Sequence, residues 1–526
     1  MPAVTLNGPG PIVSDYFGNA VAISGTRMVV GATGDNTGAL DAGSAYVYDL
    51  SSDTPTVSAY TLNNPSPAAS DNFGGSVGIS GARVVVGALN AASVYVYDLS
   101  SSTSTVPVFT LKGLTVVDSF GISVAISGTR VVVGASRTDT GARDAGSAYV
   151  YDLSSGTPTI PVATLNNPSP AASDFFGASV AISGTRVVVG AYQDDTGATN
   201  AGSAYVYDLS SGTPTVPMAM LNNPSPAASD LFGSSVRISG TRVVVGAHGD
   251  DTGASNAGSA YVYDLSSGTP TVPVVTLNDP GPAVSDYFGS SVAISGTRVM
   301  VGAHRIYTDA RNAGRVYVYD LSSGTPTVPV ATLINPAPEA GNGFGSALAI
   351  DGSTVAIGAY LDDTVAFDKG SVYIYGPSPY SLWKVSELNN QFAPDLGDAD
   401  RDGLSNLGEY GLLRSPTIPN GAATSAEPAL YAEGERLRMF VLREPARNDI
   451  TLEVQATGDL TGLWTTIATS TLGAPFTGPG YFSGDAATPG GEVGGGARRG
   501  EYDGCHSAIP AREGAALSRK ASVAGC

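Results

Sequence analysis

Short apolar runs alternate with polar, Gly- and Pro-rich stretches along most of the chain, and one segment shows the pattern plainly. Ser179 to Ser183 (SVAIS) alternates small or polar with apolar side chains, Arg186 to Ala191 (RVVVGA) is a β-branched run, and Gly184-Thr185 lies between them. This predicts two strands joined by a tight hairpin. After a polar loop, Ser203 to Asp208 (SAYVYD) predicts a third strand, with Tyr205 and Tyr207 on one face and Ala204 and Val206 on the other. SSGTPTVP then reads as a turn-rich connector, and Met218 to Leu221 as a short fourth strand before NNPSPAASD.

This unit of about 56 residues occurs seven times, each copy marked by Phe-Gly: Phe17-Gly18, Phe73-Gly74, Phe120-Gly121, Phe176-Gly177, Phe232-Gly233, Phe288-Gly289 and Phe344-Gly345. The second copy is nine residues shorter. A four-stranded sheet standing alone leaves both faces wet, so the copies must stack face to face, and a ring does this without large open ends. The seventh copy ends after Ser371 to Tyr375 (SVYIY) without a following TLNN strand, whereas the chain begins with one, Ala3 to Leu6 (AVTL). The expectation is an all-β fold, a seven-bladed β-propeller in which the N-terminal strand completes the last blade.

The run FG-x-SVAISG-x-RVVVGA followed by GSAYVYD resembles the FG-GAP repeat family, whose best-known members form the seven-bladed head of integrin α chains; the likeness spans residues 3 to 375. It is most similar to the bacterial variant of that repeat. Many members hold calcium in an acidic loop between the first two strands, but here that place is a tight turn (Ser183 to Arg186, Ser239 to Arg242), so calcium is not carried over to it. Strand direction puts the short turns and SSGTPTVP connectors at one end of the ring, and the loops such as QDDTGATNAG and NNPSPAASD at the other. That second face is acidic, with Asp35, Asp139, Asp174, Asp194, Asp195, Asp230, Asp250, Asp251, Asp286, Asp362 and Asp363. Two readings follow: a ring of carboxylates for cations or a basic or sugar partner, or Asx turns that shape soluble loops. Phe-Gly reads as architecture, an aromatic between blades and a Gly where backbones crowd.

Beyond the repeats, DADRDGLSNLGE fits the EF-hand loop pattern. Asp398, Asp400 and Asp402 fall at positions 1, 3 and 5, Gly403 at 6, the Leu404 carbonyl at 7, Asn406 at 9 and Glu409 at 12. Hard oxygens at this spacing suit Ca2+, and the run resembles the single DxDxDGLSNxxEY loops of bacterial secreted and surface proteins. RLRMFVLR, ITLEVQAT and LWTTIATS predict strands of a small, sandwich-like β-rich module. The expected organisation is a propeller over 1–376, a calcium-loop linker over 377–415, the β-rich module over 416–480 and a Gly-rich, disordered tail over 481–526.

Charge narrows the partners. The formal net charge is −20 although only 14% of residues are charged, a surface that repels nucleic acid and anionic membrane. No apolar run reaches the roughly 20 residues of a membrane helix, no signal peptide is visible, and both cysteines, Cys505 and Cys526, lie in the tail. The three histidines, His248, His304 and His506, are not spaced for zinc or a triad, and His248 and His304 occupy a loop position that other copies fill with Tyr, Ser or Thr. One G-x-S-x-G string, Gly74 to Gly78, starts a strand instead of turning into a helix, so it is no nucleophile elbow. The expectation is a monomeric, non-catalytic binding or adhesion protein of the exterior or cell surface, presenting its loop face to a protein or glycan. A propeller-based carbohydrate-active enzyme (lyase or hydrolase) and a purely structural surface protein are the alternatives.

Overall fold

A computed structural model of the chain describes residues 2, 4–9, 14–52, 54–305, 313–337 and 341–376, together with three strands further on. The chain divides into two compact units, Met1–Gly376 and Pro377–Cys526.

Among the described residues the first unit contains seven four-stranded antiparallel sheets. In the fourth, Ser179–Ser183, Arg186–Ala191, Ser203–Asp208 and Ala219–Asn222 pair in chain order. In the last, the order is Ala347–Asp351, Thr354–Ala359, Ser371–Tyr375 and then Val4–Asn7, paired Val4 to Ile374 and Asn7 to Ser371. The opening strand therefore completes the seventh blade and closes the ring. First strands of successive blades touch one another all the way round, the last against the first, so they form the inner wall.

The packing explains the repeated letters. Each of seven buried apolar clusters is shared by two neighbouring blades; between blades 4 and 5 it joins Val188, Val206 and Leu221 to Phe232, Val236, Val245, Tyr261 and Tyr263. Phe232 is fully buried, its ring 5.6 Å from Tyr261 and 6.3 Å from Tyr263. Gly233 sits at φ +90° with its carbonyl so near the preceding blade that a Cβ on Gly190 would lie 2.0 Å from it. Phe fills the space between blades, and paired glycines let the backbones meet.

A chain of hydrogen bonds runs around the short-turn end. Serine hydroxyls at the end of six inner strands (Ser24, Ser80, Ser127, Ser183, Ser239, Ser295) accept from the turn glycine N–H of the next blade, at 3.0–3.1 Å. In blade 7 an aspartate takes the place of that serine, and the Asp351 carboxylate accepts from Gly25 N at 2.6 Å.

The same junction carries a second departure. At three other junctions the aspartate two residues before Phe-Gly accepts an amide from an asparagine seven residues earlier: Asn64 to Asp71 at 2.8 Å, Asn167 to Asp174 and Asn223 to Asp230 at 2.6 Å. Before blade 1 the asparagine position is Gly8, and the donor to Asp15 is Lys369 of blade 7, where equivalent copies carry alanine (Ala201, Ala257). Both partners of this ion pair are buried, with side chains 3% and 4% exposed. A Cβ on Gly8 would lie 3.1 Å from Lys369 Cε, so the missing side chain makes room for the lysine.

In the second unit, strands Thr451–Ala456, Thr465–Thr471 and Val523–Gly525 form a sheet with Thr451–Ala456 in the middle. The first two lie in stretches expected to be strands. The proposed calcium ligands Asp398, Asp400, Asp402, Leu404, Asn406 and Glu409 lie outside the described residues, as do the stretch RLRMFVLR and most of the Gly-rich tail.

Candidate ligand-binding face

The carboxylates of the acidic loops bond back to their own blades, Asp35, Asp194, Asp250 and Asp362 buried and Asp139, Asp195 and Asp251 exposed. Asp194 Oδ1 accepts from Thr196 N and its Oδ2 from the Tyr205 hydroxyl, each at 2.8 Å, and Asp250 holds Thr252 N and Tyr261 in the same way. Asp35 and Asp362 accept from Tyr46 and Tyr373, both at 2.5 Å. Asp139, Asp195, Asp251 and Asp363 each accept the backbone N–H five residues on. Asp174 and Asp230 bind the asparagine amides already described, and burial raises their pKa values above the ordinary carboxylate range. These aspartates are staples of the loops, and the Asx-turn reading accounts for them.

The blade 5–6 junction breaks the pattern. Its asparagine position is Asp279, which faces Asp286, and both are buried. Asp279 Oδ2 and Asp286 Oδ1 have no hydrogen-bond partner, nor has Arg315 Nε nearby. Burial, with Asp279 close by, pushes the Asp286 carboxyl up to about 6, against the pull of the Ala283 N–H and Arg315. Burial likewise raises Asp279. Below about pH 6 a proton on Asp286 supplies the donor that an asparagine amide supplies at Asp174 and Asp230.

Beside this pair, unlike side chains gather from neighbouring blades. Two columns of the repeat meet there: the residue before each Phe-Gly and the residue after each second-strand Gly-Ala. The first is held at positive φ, 55° at Tyr287 and 54° at Phe175, by backbone bonds from the preceding blade's loop, Tyr287 N to Asn256 O and Phe175 N to Asp144 O, both 3.1 Å. Tyr287 lies 5.6 Å from His248 of blade 5, nearly edge-on, and 6.3 Å from His304 of its own blade, nearly parallel. The exposed Arg305 sets its guanidinium over the Tyr287 ring at 4.9 Å. Phe175 and Tyr192 stack at 5.6 Å with Arg137 at 6.0 Å, and Tyr16 meets Tyr360 across the closing junction at 6.3 Å.

The histidines are therefore parts of a packed cluster, where reading each copy separately showed only a variable loop position. Ser234 Oγ lies 2.9 Å from His248 Nδ1, and Ser290 Oγ 2.8 Å from His304 Nδ1. Burial and then the Arg305 charge pull both imidazoles down to about 4, so both are neutral at pH 7. The arrangement offers aromatic faces, two neutral imidazoles, hydroxyls and a guanidinium, which suit stacking and hydrogen bonding to a polar ligand. Among the described residues no group of three His, Cys, Asp or Glu side chains is placed to hold a metal ion. Ser76 of the G-x-S-x-G string is buried, donating to Gly121 O of the next blade at 2.7 Å, an architectural role.

Comparison with known proteins supports the repeat reading. Residues 12–48, 115–151, 162–207, 219–263, 274–319 and 328–375 match the FG-GAP repeat model, together about half of the chain. The short second copy is not among the matched segments. No curated protein matches the chain. One similar solved structure is described as "KlHsv2 with loop 6CD replaced by a Gly-Ser linker", at 11% identity and a TM-score of 0.39, covering 63% of this chain and 85% of that one.

Proposed function

The chain belongs to the FG-GAP repeat family, and on that footing we propose that it is a non-catalytic binding protein whose loop face takes a protein or glycan partner. The observation that supports this most is the cluster of His248, Tyr287, His304 and Arg305 with Ser234 and Ser290, because it breaks the sevenfold symmetry where a ligand needs unlike groups. FG-GAP propellers are typically non-catalytic, and the Ser–His contacts here present imidazoles buried in their neutral form. An extracellular or cell-surface setting and the Ca2+ loop at Asp398, Asp400, Asp402, Leu404, Asn406 and Glu409 belong to the same proposal, with calcium rigidifying the segment after the propeller.

Glycan arrays and pull-downs with the full chain, run with and without chelator, test the binding role. Tyr287→Ala with Arg305→Ala is expected to weaken capture at least tenfold while the melting curve stays native-like. Capture by this variant equal to that of the native chain would remove the cluster from the binding role. Calorimetric titration with calcium, native chain against Asp398→Ala with Glu409→Ala, tests the metal; unchanged heats would discard it.

A further inference from the structure

The inner strands that ring the axis are built almost wholly from small and apolar side chains. Five blades carry alanine at the sixth position of the strand (Ala22, Ala125, Ala181, Ala293, Ala349) and one carries Gly78; blade 5 carries Arg237. Arg237 is the one basic residue in any inner strand. This register packs hard against the next blade: at Gly78 a Cβ would already lie 3.3 Å from Ile126 Cγ2. A side chain as long as arginine has no room to lie between the blades in this register. Arg237 is accordingly the one exposed residue of its strand, Phe232–Ser239, although protein closes around it.

Its charge is uncompensated. One guanidinium nitrogen, Nη1, donates to Val236 O at 2.8 Å, and among the described residues its ion pairs are with no carboxylate. Burial lowers its pKa, with no acidic neighbour acting against the shift. A guanidinium keeps its proton in any protein setting and has five donors, so donors remain beyond the one bond to Val236 O. In an otherwise acidic molecule, this is an exposed cation with donors to spare on a strand that carries no other charge.

We propose that Arg237 forms an anion site in the axial channel, taking a small oxyanion or a ligand carboxylate through its planar fork of donors. Bidentate geometry favours a carboxylate or a sulfate-like group over a halide. The net charge of −20 works against entry, so the affinity is weak and falls as salt screens the contact.

The test is calorimetric titration of the full chain with sodium sulfate in one arm and sodium acetate in the other, at fixed ionic strength. Native protein is expected to give saturable one-to-one heat in at least one arm, and Arg237→Ala to weaken it tenfold or more. Arg237→Ala restores the residue that five other blades carry, so it should fold, and its melting curve shows whether it does. Arg143→Ala, at an exposed arginine already paired with Asp144 at 3.3 Å, should leave the heat unchanged. The arm that responds identifies the source: sulfate a tetrahedral oxyanion, acetate a ligand carboxylate. Native protein without saturable heat in either arm, or a folded Arg237→Ala protein that binds as tightly as the native chain, would overturn the proposal.

Discussion

Replacing Lys369 by alanine probes the junction that closes the ring. It leaves Asp15, 3% exposed, without its cation and with Gly8 unable to donate in its place. Removing one partner of a buried ion pair typically destabilises by 3–5 kcal/mol, and because Asp15 can escape by taking up a proton the expected loss at pH 7 is about 3 kcal/mol. Burial already raises the Asp15 pKa, with Lys369 opposing it; without the lysine it rises further. An acid whose folded pKa exceeds its unfolded value binds its proton more tightly in the native state, so stability falls as pH climbs between the two values. The deficit of Lys369→Ala should therefore be full near neutrality and shrink toward pH 4. The other blades prescribe the rescue: Gly8→Asn with Lys369→Ala recreates the amide-to-carboxylate bond seen at Asn167 and Asp174, 2.6 Å, and should return stability to within about 1 kcal/mol of native. Urea unfolding followed by circular dichroism across pH 4–8 measures both. A rescue variant as unstable as the single one, or a single variant as stable as native, would refute the exchange of donors.

Asp279→Asn should stabilise the chain at pH 7 by about 2 kcal/mol, since it ends a like-charged pair whose Asp286 member is pushed up to about 6; stability of the native chain, but not of this variant, should fall as pH rises from 4 to 7 at that site, read by difference in urea midpoints. His248→Tyr with His304→Tyr places at both positions the residue found at Tyr192 and Tyr360. Because both imidazoles are pulled down to about 4, their contribution is complete above pH 6.5 and is lost as pH falls toward 4, so the variant should lose less stability in acid than native protein; an identical acid limb would contradict the burial argument. Gly190→Ala puts a Cβ 2.0 Å from Gly233 O and should destabilise by about 3 kcal/mol or more in thermal melts, whereas Gly212→Ala, with open space around it, should be nearly neutral.

How much of this the sequence reveals depends on whether a feature lives within one copy or between two. Strand positions are local: Arg186–Ala191 and Ser203–Asp208 follow from β-branched and alternating runs and appear with the bounds expected, while the fourth strand shifts by one residue to Ala219–Asn222 because its ladder begins at Ala219 opposite Val206. Closure is also legible, since Ala3–Leu6 and Ser371–Tyr375 are complementary parts of one pattern. Whether an acidic loop points its carboxylates outward is not local, because the Tyr205 hydroxyl that captures Asp194 comes from the following strand and folds over it. The cluster at Tyr287 is further from reach: its members occupy two different columns of the repeat, and each column alone is a variable loop position. The signal that could have found them is joint departure from the consensus. Lys369 for alanine and Gly8 for asparagine, or Asp279 for asparagine and Arg315 for serine, are paired exceptions, and a repeat protein discloses its special junctions where two exceptions lie one blade apart. Arg237 has no such partner exception, and among the described residues its guanidinium bonds to Val236 O.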